Sequence, residues 1–93
     1  MQTLNLDYAE TLDFIRAKQL ADSVAGVLVD EPMLLSWYDR QRDIESPAGV
    51  SECHVGCEVR GCVDYARHRG GALCVDINRG EYLFCYRPLG EFA

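Results

Sequence analysis

Apolar residues recur every three or four positions in the first third of the chain. They are Phe14, Ala17, Ala21, Val24, Ala25 and Leu28. This spacing gathers them on one side of an α-helix, so it predicts a first helix with a single apolar face. Asp7 followed by Glu10 resembles a capping box, and we therefore expect the helix to begin close to these two residues.

Three further segments precede the C-terminal third. Residues 33–39 mix aliphatic and aromatic residues after Pro32, which is typical of a strand near the edge of a sheet. Residues 41–57 lack periodicity and contain the turn-prone "ESPAG", so they predict the longest loop. Residues 58–69 return to helical spacing and end at a Gly-Gly pair, which suits the end of a second helix. The apolar face of this helix comprises Val59, Cys62, Val63 and Ala66.

The segment "ALCVDINRGEYLFCYR" (72–87) predicts a β-hairpin, because two β-rich runs flank Asn78-Arg79-Gly80. We expect a three-residue loop with Gly80 in the left-handed conformation. A two-residue turn at Arg79-Gly80 would require a positive φ at Arg79, and is rejected because that conformation is costly for a non-glycine residue.

The three-residue loop also assigns the two faces of the hairpin, since side chains alternate along a strand. One face carries Cys74, Asp76, Tyr82, Phe84 and Tyr86. The other carries Leu73, Val75, Ile77, Leu83 and Cys85, and this aliphatic face is the predicted core. Cys74 and Cys85 then point in opposite directions and can share neither a metal ion nor a disulfide.

These elements predict one α+β domain over residues 1–93, in the order α-β-α-β-β. We expect a small, mainly antiparallel sheet with both helices packed on one face, the aliphatic one. At 93 residues the chain is long enough for a single modest core.

Composition and charge exclude several classes of partner. The chain is 48% hydrophobic and 26% charged, with a formal net charge of −6, as in an acidic globular domain. Such a domain lacks the positive field that binds nucleic acid or an anionic membrane surface. No signal peptide and no membrane-spanning stretch is recognised, so we expect a cytoplasmic protein. Its five cysteines, an odd number, would stay reduced there.

The run "SECHVGCEVRGC" (51–62) holds the candidate thiol or metal residues Cys53, His54 and Cys57. The start of a helix lowers the pKa of a thiol, which favours reactivity at Cys57, although the adjacent Glu58 opposes it. The C-x3-C-x4-C spacing matches no common zinc pattern. We therefore predict no cofactor, with zinc or an iron–sulfur cluster at these three residues as the alternative. Cys62 is assigned to the core of the second helix.

Two other groups are candidate binding residues. The aromatic hairpin face (Tyr82, Phe84 and Tyr86) together with Trp37 would meet the loop, a small-molecule ligand or a second copy of the chain, if the helices cover the other face. Arg67 and Arg69 could bind an anion. The simpler interpretation is that they complement the dipole at the end of the second helix.

The chain resembles a family of small uncharacterised proteins from anaerobic prokaryotes. The residues that carry the resemblance are "LLSWYDR" (34–40), "SP" (46–47), "SEC" (51–53) and "YARHRGGALCVDINRGEYLF" (65–84). The resemblance implies a compact α+β domain but no activity, substrate or catalytic residue. Cys57 and Cys62 are not features of the family pattern, which leaves Cys53 as the cysteine of interest in the run.

Two functional hypotheses remain. The first is a non-enzymatic intracellular binding or accessory domain that uses the aromatic face and the 41–57 loop, as a homodimer or with a small-molecule ligand. The second is a thiol- or metal-dependent function at Cys53, His54 and Cys57. No arrangement of catalytic residues is recognised in the sequence.

Overall fold

The computed structural model describes residues 1–48 and 61–89, which form one layered α+β domain. Two helices and five strands follow one another as β1 (Gln2–Leu6), α1 (Phe14–Leu28), β2 (Pro32–Asp39), β3 (Ile44–Ser46), α2 (Gly61–Arg67), β4 (Leu73–Ile77) and β5 (Tyr82–Pro88). The five strands form a single sheet in the order β1-β4-β5-β2-β3.

The sheet is mixed, whereas the sequence predicted a mainly antiparallel one. Strand β1 runs parallel to β4, and the other three strand pairs are antiparallel. Neither β1 nor the three-residue β3 was predicted. In β1 the alternate residues Leu4 and Leu6 pack against the core, which is the period-2 pattern of a half-buried strand. The element order therefore starts with a strand, and α1 follows it.

Helix α1 begins later than the sequence predicted. Its N-cap is Asp13, whose carboxylate accepts a hydrogen bond of 2.8 Å from the backbone N–H of Arg16. An aspartate at the N-cap satisfies one of the unpaired N–H groups of the first turn, which fixes the start of the helix at Phe14. The predicted capping pair, Asp7 and Glu10, precedes the helix and lies in the segment that follows β1.

The two helices pack on opposite faces of the sheet, so the prediction that both cover one face is wrong. Helix α1 buries Ala17, Ala21 and Ala25 against one side. Helix α2 buries Cys62 and Ala66 against the other. The small inner side chains of both helices leave room for the larger side chains of the sheet, and the domain has three layers with the sheet in the middle.

The β4–β5 hairpin has the register that the sequence argument rejected. Ile77 pairs with Tyr82, and Cys74 pairs with Cys85. The reversal is made by residues 78–81. Asn78, Arg79 and Gly80 have φ values of +52°, +56° and +82°, and the N–H of Glu81 donates to the carbonyl of Asn78.

Hydrogen bonds around the turn offset the cost of a left-handed arginine. The carboxylate of Asp76 accepts a bond of 2.6 Å from the N–H of Gly80. The backbone carbonyl of Arg79 accepts one of 3.3 Å from the guanidinium of Arg40. The side chain of Asn78 accepts one of 2.6 Å from the N–H of Tyr8. Most of these partners are distant in sequence, so hairpin propensities alone could not anticipate them.

This register reassigns both faces of the sheet. The α1 face carries the aliphatic residues of β4 and the aromatic residues of β5, namely Leu73, Val75, Ile77, Tyr82, Phe84 and Tyr86. The α2 face carries Cys74, Leu83 and Cys85. The predicted separation into an aliphatic face and an aromatic face is therefore wrong. The aliphatic residues of β4 lie with the aromatic residues of β5 beneath α1, whereas Leu83 and Cys85 lie on the other face.

A pair of glycine substitutions tests the turn conformation. A Cβ added at Gly80 or at Gly26 would meet no atom of the described residues within 4 Å, so the two sites differ in backbone conformation and not in space. Gly80→Ala should lower the free energy of unfolding by about 1 kcal/mol, because φ is positive there. Gly26→Ala, in the interior of α1, should raise it by about 0.5–1 kcal/mol. Urea unfolding of both variants measures this, and equal effects would contradict the turn.

Candidate functional site: a buried cluster of three cysteines

Three cysteine side chains meet between the sheet and α2. Cys62 comes from α2, Cys74 from β4 and Cys85 from β5. Their exposed fractions are 0%, 2% and 0%, and none of the three is in a disulfide. The cluster depends on the hairpin register, since that register places Cys74 directly opposite Cys85 on the face that α2 covers.

Cys85 is the central thiol of the cluster, because it hydrogen-bonds to both of the others. Hydrogen bonds from Cys62 and Cys74 lower the pKa of Cys85 well below the usual value of a thiol. The same hydrogen bonds, followed by burial, raise the pKa of Cys62 and of Cys74. The three coupled thiols thus favour a single thiolate that they share, with Cys85 in contact with both of the others.

A buried serine ties α2 to this cluster. Ser36 in β2 is 1% exposed, and its hydroxyl donates a hydrogen bond of 2.6 Å to the backbone carbonyl of Cys62. It lies beside Cys85 because the pairing of β2 with β5 shifts by one residue between Leu34 and Ser36. The side chain of Ser36 is also a hydrogen-bond partner of Cys85 and is a further influence that lowers the pKa of that thiol.

The surroundings of the cluster are apolar on most sides, and charges of both signs act on it. Its buried neighbours are Tyr38, Ala66 and Leu83, with Leu35 and Val63 at the margin. The positive charge of Arg67, in the last turn of α2, is a further influence that lowers the pKa of Cys85. Glu45 raises the pKa of Cys62, and Asp76 raises the pKa of Cys74. Arg67 therefore favours a thiolate at Cys85, whereas burial and the two carboxylates oppose one at the other two thiols.

The predicted aromatic binding residues do not form an exposed surface. Tyr82, Phe84 and Tyr86 are at most 2% exposed, because α1 covers them. Trp37 is partly buried in the same core, and its ring lies 4.7 Å from that of Phe14. The contact surface that the sequence suggested for these four residues is the inside of the folded domain.

The two predicted anion-binding arginines have separate surroundings. Arg67 acts on the cysteine cluster through its charge. The guanidinium of Arg69 lies 3.7 Å from the centre of the Tyr65 ring and donates to the carbonyl of Tyr65. The backbone carbonyl of Arg69 in turn accepts a bond of 2.9 Å from Arg87. An external anion at these arginines stays a prediction.

The cysteine predictions divide into three outcomes. Cys62 lies in the core of α2, as predicted. Cys74 and Cys85 were expected to point apart, and this is wrong because they face each other. Cys53, His54 and Cys57 lie outside the described residues. Within 1–48 and 61–89, no group of three or more metal-ligating side chains has the arrangement of a metal site.

A comparison with protein families identifies the chain. Residues 1–86 match the model of DUF5619, a domain of unknown function. The chain belongs to this family. The resemblance to a small uncharacterised family is thereby confirmed, and DUF5619 carries no assigned activity. No curated protein matches the chain.

A solved structure shares the fold of this DUF5619 domain. It is the crystal structure of AF1514 from Archaeoglobus fulgidus, described as a novel non-family-model protein. The two chains are 23% identical, each is covered to 98%, and the TM-score is 0.73. The similarity establishes the α+β architecture over almost the whole length.

A surface groove of about 550 Å³ lies between residues 7–11 and the hairpin turn of the DUF5619 domain. Its volume is in the range of small-ligand pockets, and its lining includes the carboxylates of Asp7, Glu10 and Glu81 together with Arg79. These charges of both signs border an open depression, and they specify no class of ligand.

No helix of the described ranges is long and apolar enough to cross a bilayer.

Proposed function

We propose that this DUF5619 chain is an accessory domain that responds to oxidation of its cysteine cluster. The observation that carries the proposal is the meeting of three free thiols at one buried point of contact between the sheet and α2. Oxidation of two of them to a disulfide would change how the helix and the sheet pack, and so convert a redox change into a structural one.

The burial of the cluster favours a responsive domain over a thiol enzyme. A catalytic cysteine must meet its substrate, and reactive cysteines are therefore partly exposed. Here the three side chains are at most 2% exposed, so a macromolecular or bulky substrate has no access to a sulfur atom. A small oxidant needs only a brief local opening to reach them.

Helix α2 is suited to such an opening. Its described part, Gly61–Arg67, has seven residues, and short helices depend on tertiary contacts for their stability. The described contacts that hold it include the buried side chains of Cys62 and Ala66 and the hydrogen bond from Ser36. Because one of the three thiols belongs to this helix, the redox state of the cluster and the position of the helix are coupled.

Peroxide treatment tests the proposal, in a C53S/C57S background that leaves only the three cluster thiols. We expect hydrogen peroxide to produce a monomer lighter by two hydrogens, with one free thiol, and we expect a dithiol reductant to reverse the change. Intact mass spectrometry and thiol counting measure this. In the same background, Cys85→Ala should abolish the rapid oxidation of the remaining cluster thiols by hydrogen peroxide, since Cys85 contacts both of them.

The same protein unfolded in urea provides the reference rate. Circular dichroism verifies that each variant is folded before it is compared. If the folded protein keeps three thiols at peroxide doses that oxidise the unfolded chain, the cysteines are inert core residues, and the proposed function is wrong.

A further inference from the structure

We infer that the oxidised form of the cluster is a cross-strand disulfide between Cys74 and Cys85, with Cys62 left as a free thiol. This inference rests on the proposed function and specifies its chemistry. Cys74 and Cys85 occupy paired positions on β4 and β5, which are neighbours in the middle of the five-stranded sheet. Their side chains share the face beneath α2.

The strand pairing holds these two thiols close together. Directly opposed residues of an antiparallel pair have Cβ atoms roughly 4.5–5.5 Å apart. A disulfide requires about 3.8 Å. A shift of roughly 1–2 Å between the two strands therefore suffices. Rotation of the two side chains toward each other completes the approach.

Cys62 is the less suitable partner because it belongs to the helix that covers the other two. With α2 in place, the sulfur of Cys85 is fully buried, and an oxidant must displace the helix to reach it. Displacement breaks the bond between Ser36 and the carbonyl of Cys62 and carries Cys62 away from the sheet. Cys74 stays opposite Cys85, because the β4–β5 pairing does not involve α2.

The reaction needs a peroxide and proceeds in two steps. The Cys85 thiolate attacks one oxygen of hydrogen peroxide, the O–O bond breaks, and the products are a sulfenic acid and a hydroxide that takes up a proton to become water. Cys74 then loses its proton, and its sulfur displaces the sulfenic oxygen from Cys85 as a second water. Overall, two thiols are oxidised to one disulfide while one peroxide is reduced to two waters.

Trypsin separates the three cysteines, which makes the disulfide directly assignable. Cleavage after Arg60, Arg67, Arg69 and Arg79 places Cys62 in peptide 61–67, Cys74 in 70–79 and Cys85 in 80–93, since the bond between Arg87 and Pro88 resists trypsin. The experiment oxidises the C53S/C57S protein with hydrogen peroxide, blocks remaining thiols with iodoacetamide, and digests without reductant. We expect a linked 70–79/80–93 pair and an alkylated 61–67.

Two further variants distinguish this inference from the proposed function. Cys62→Ser should still form the disulfide, whereas Cys74→Ser should stop at a sulfenic acid that dimedone traps. A linked 61–67/80–93 pair in the C53S/C57S protein would overturn the inference and leave the redox response intact. Peptides that are linked only between two chains would also overturn it. If no disulfide or sulfenic acid forms in any folded variant, the inference and the proposed function are both wrong.

Discussion

Replacement of Phe84 by alanine should lower the free energy of unfolding by about 3–5 kcal/mol, the usual cost of deleting a buried phenyl ring. Phe84 is 0% exposed in the middle of β5. Its ring lies 5.7 Å from that of Phe14 and 6.3 Å from that of Tyr82, so the substitution removes contacts with both and leaves a cavity under α1. Small domains have total stabilities of roughly 5–15 kcal/mol, so the loss would be a large part of the whole.

The control for this variant is Val27→Ala, because Val27 is an apolar residue of α1 that is 83% exposed. Its substitution should change stability by less than about 0.5 kcal/mol. Urea unfolding followed by circular dichroism measures both. If Phe84→Ala were as mild as Val27→Ala, and altered self-association instead, the aromatic residues would form an external surface, and the packing of α1 would be wrong.

The sequence predicted both helices but not the faces on which they pack. Helical periodicity shows which residues form the apolar side of a helix. It correctly predicted the buried residues Ala17, Ala21 and Ala25 of α1 and Cys62 and Ala66 of α2. It contains no information about which side of the sheet that apolar stripe meets. Assigning both helices to one face was therefore an independent assumption, and it is the one that failed.

A signal for the correct arrangement was present in β5. The residues "YLFCY" (82–86) are an unbroken apolar run, and all five are buried. Such runs are typical of strands covered on both faces, whereas strands with one face in water alternate. Reading the run in this way would have placed one helix on each side and removed the exposed aromatic surface.

The sequence did not predict the cysteine cluster, because the predicted register of the β4–β5 hairpin was wrong by one residue. With a three-residue loop, Cys74 and Cys85 point apart; with a two-residue turn, they are opposite. The choice depended on the cost of a positive φ at Arg79, and the bonds that offset this cost come partly from Tyr8 and Arg40, far away in the sequence. Local propensity therefore favoured the wrong turn, and every conclusion about the hairpin thiols followed from it.

The stability of the domain should also depend on alkaline pH through Tyr86. This residue is 2% exposed, and its phenol donates a hydrogen bond of 2.6 Å to the carboxylate of Asp22, which also accepts one from Lys18. Burial is the main cause that raises the pKa of Tyr86, and the hydrogen bond to Asp22 adds to it. The folded protein therefore keeps this phenol protonated at a pH where the unfolded chain loses the proton.

The contribution of Tyr86 to the stability of the fold therefore decreases at alkaline pH. A group whose pKa is raised by folding contributes its full stability below the unfolded pKa, about 10 for tyrosine, and loses that contribution as the pH rises further. The loss is about 1.4 kcal/mol per pH unit, or about 2 kcal/mol at a pH near 11.5. A variant without the phenol does not suffer this loss.

Tyr86→Phe should therefore be less stable than the wild type at neutral pH by about 1.5–3 kcal/mol, because a hydrogen bond to a charged group is lost. That difference should shrink by about 2 kcal/mol at a pH near 11.5, until the two proteins are nearly equal or their order is reversed. Urea unfolding at a series of pH values measures the difference.

Phe84→Leu is the matched control, since it alters the same core without removing a titratable group, and its difference from wild type should stay constant. A Tyr86→Phe difference that is equally constant would show that the phenol is not kept protonated by the fold.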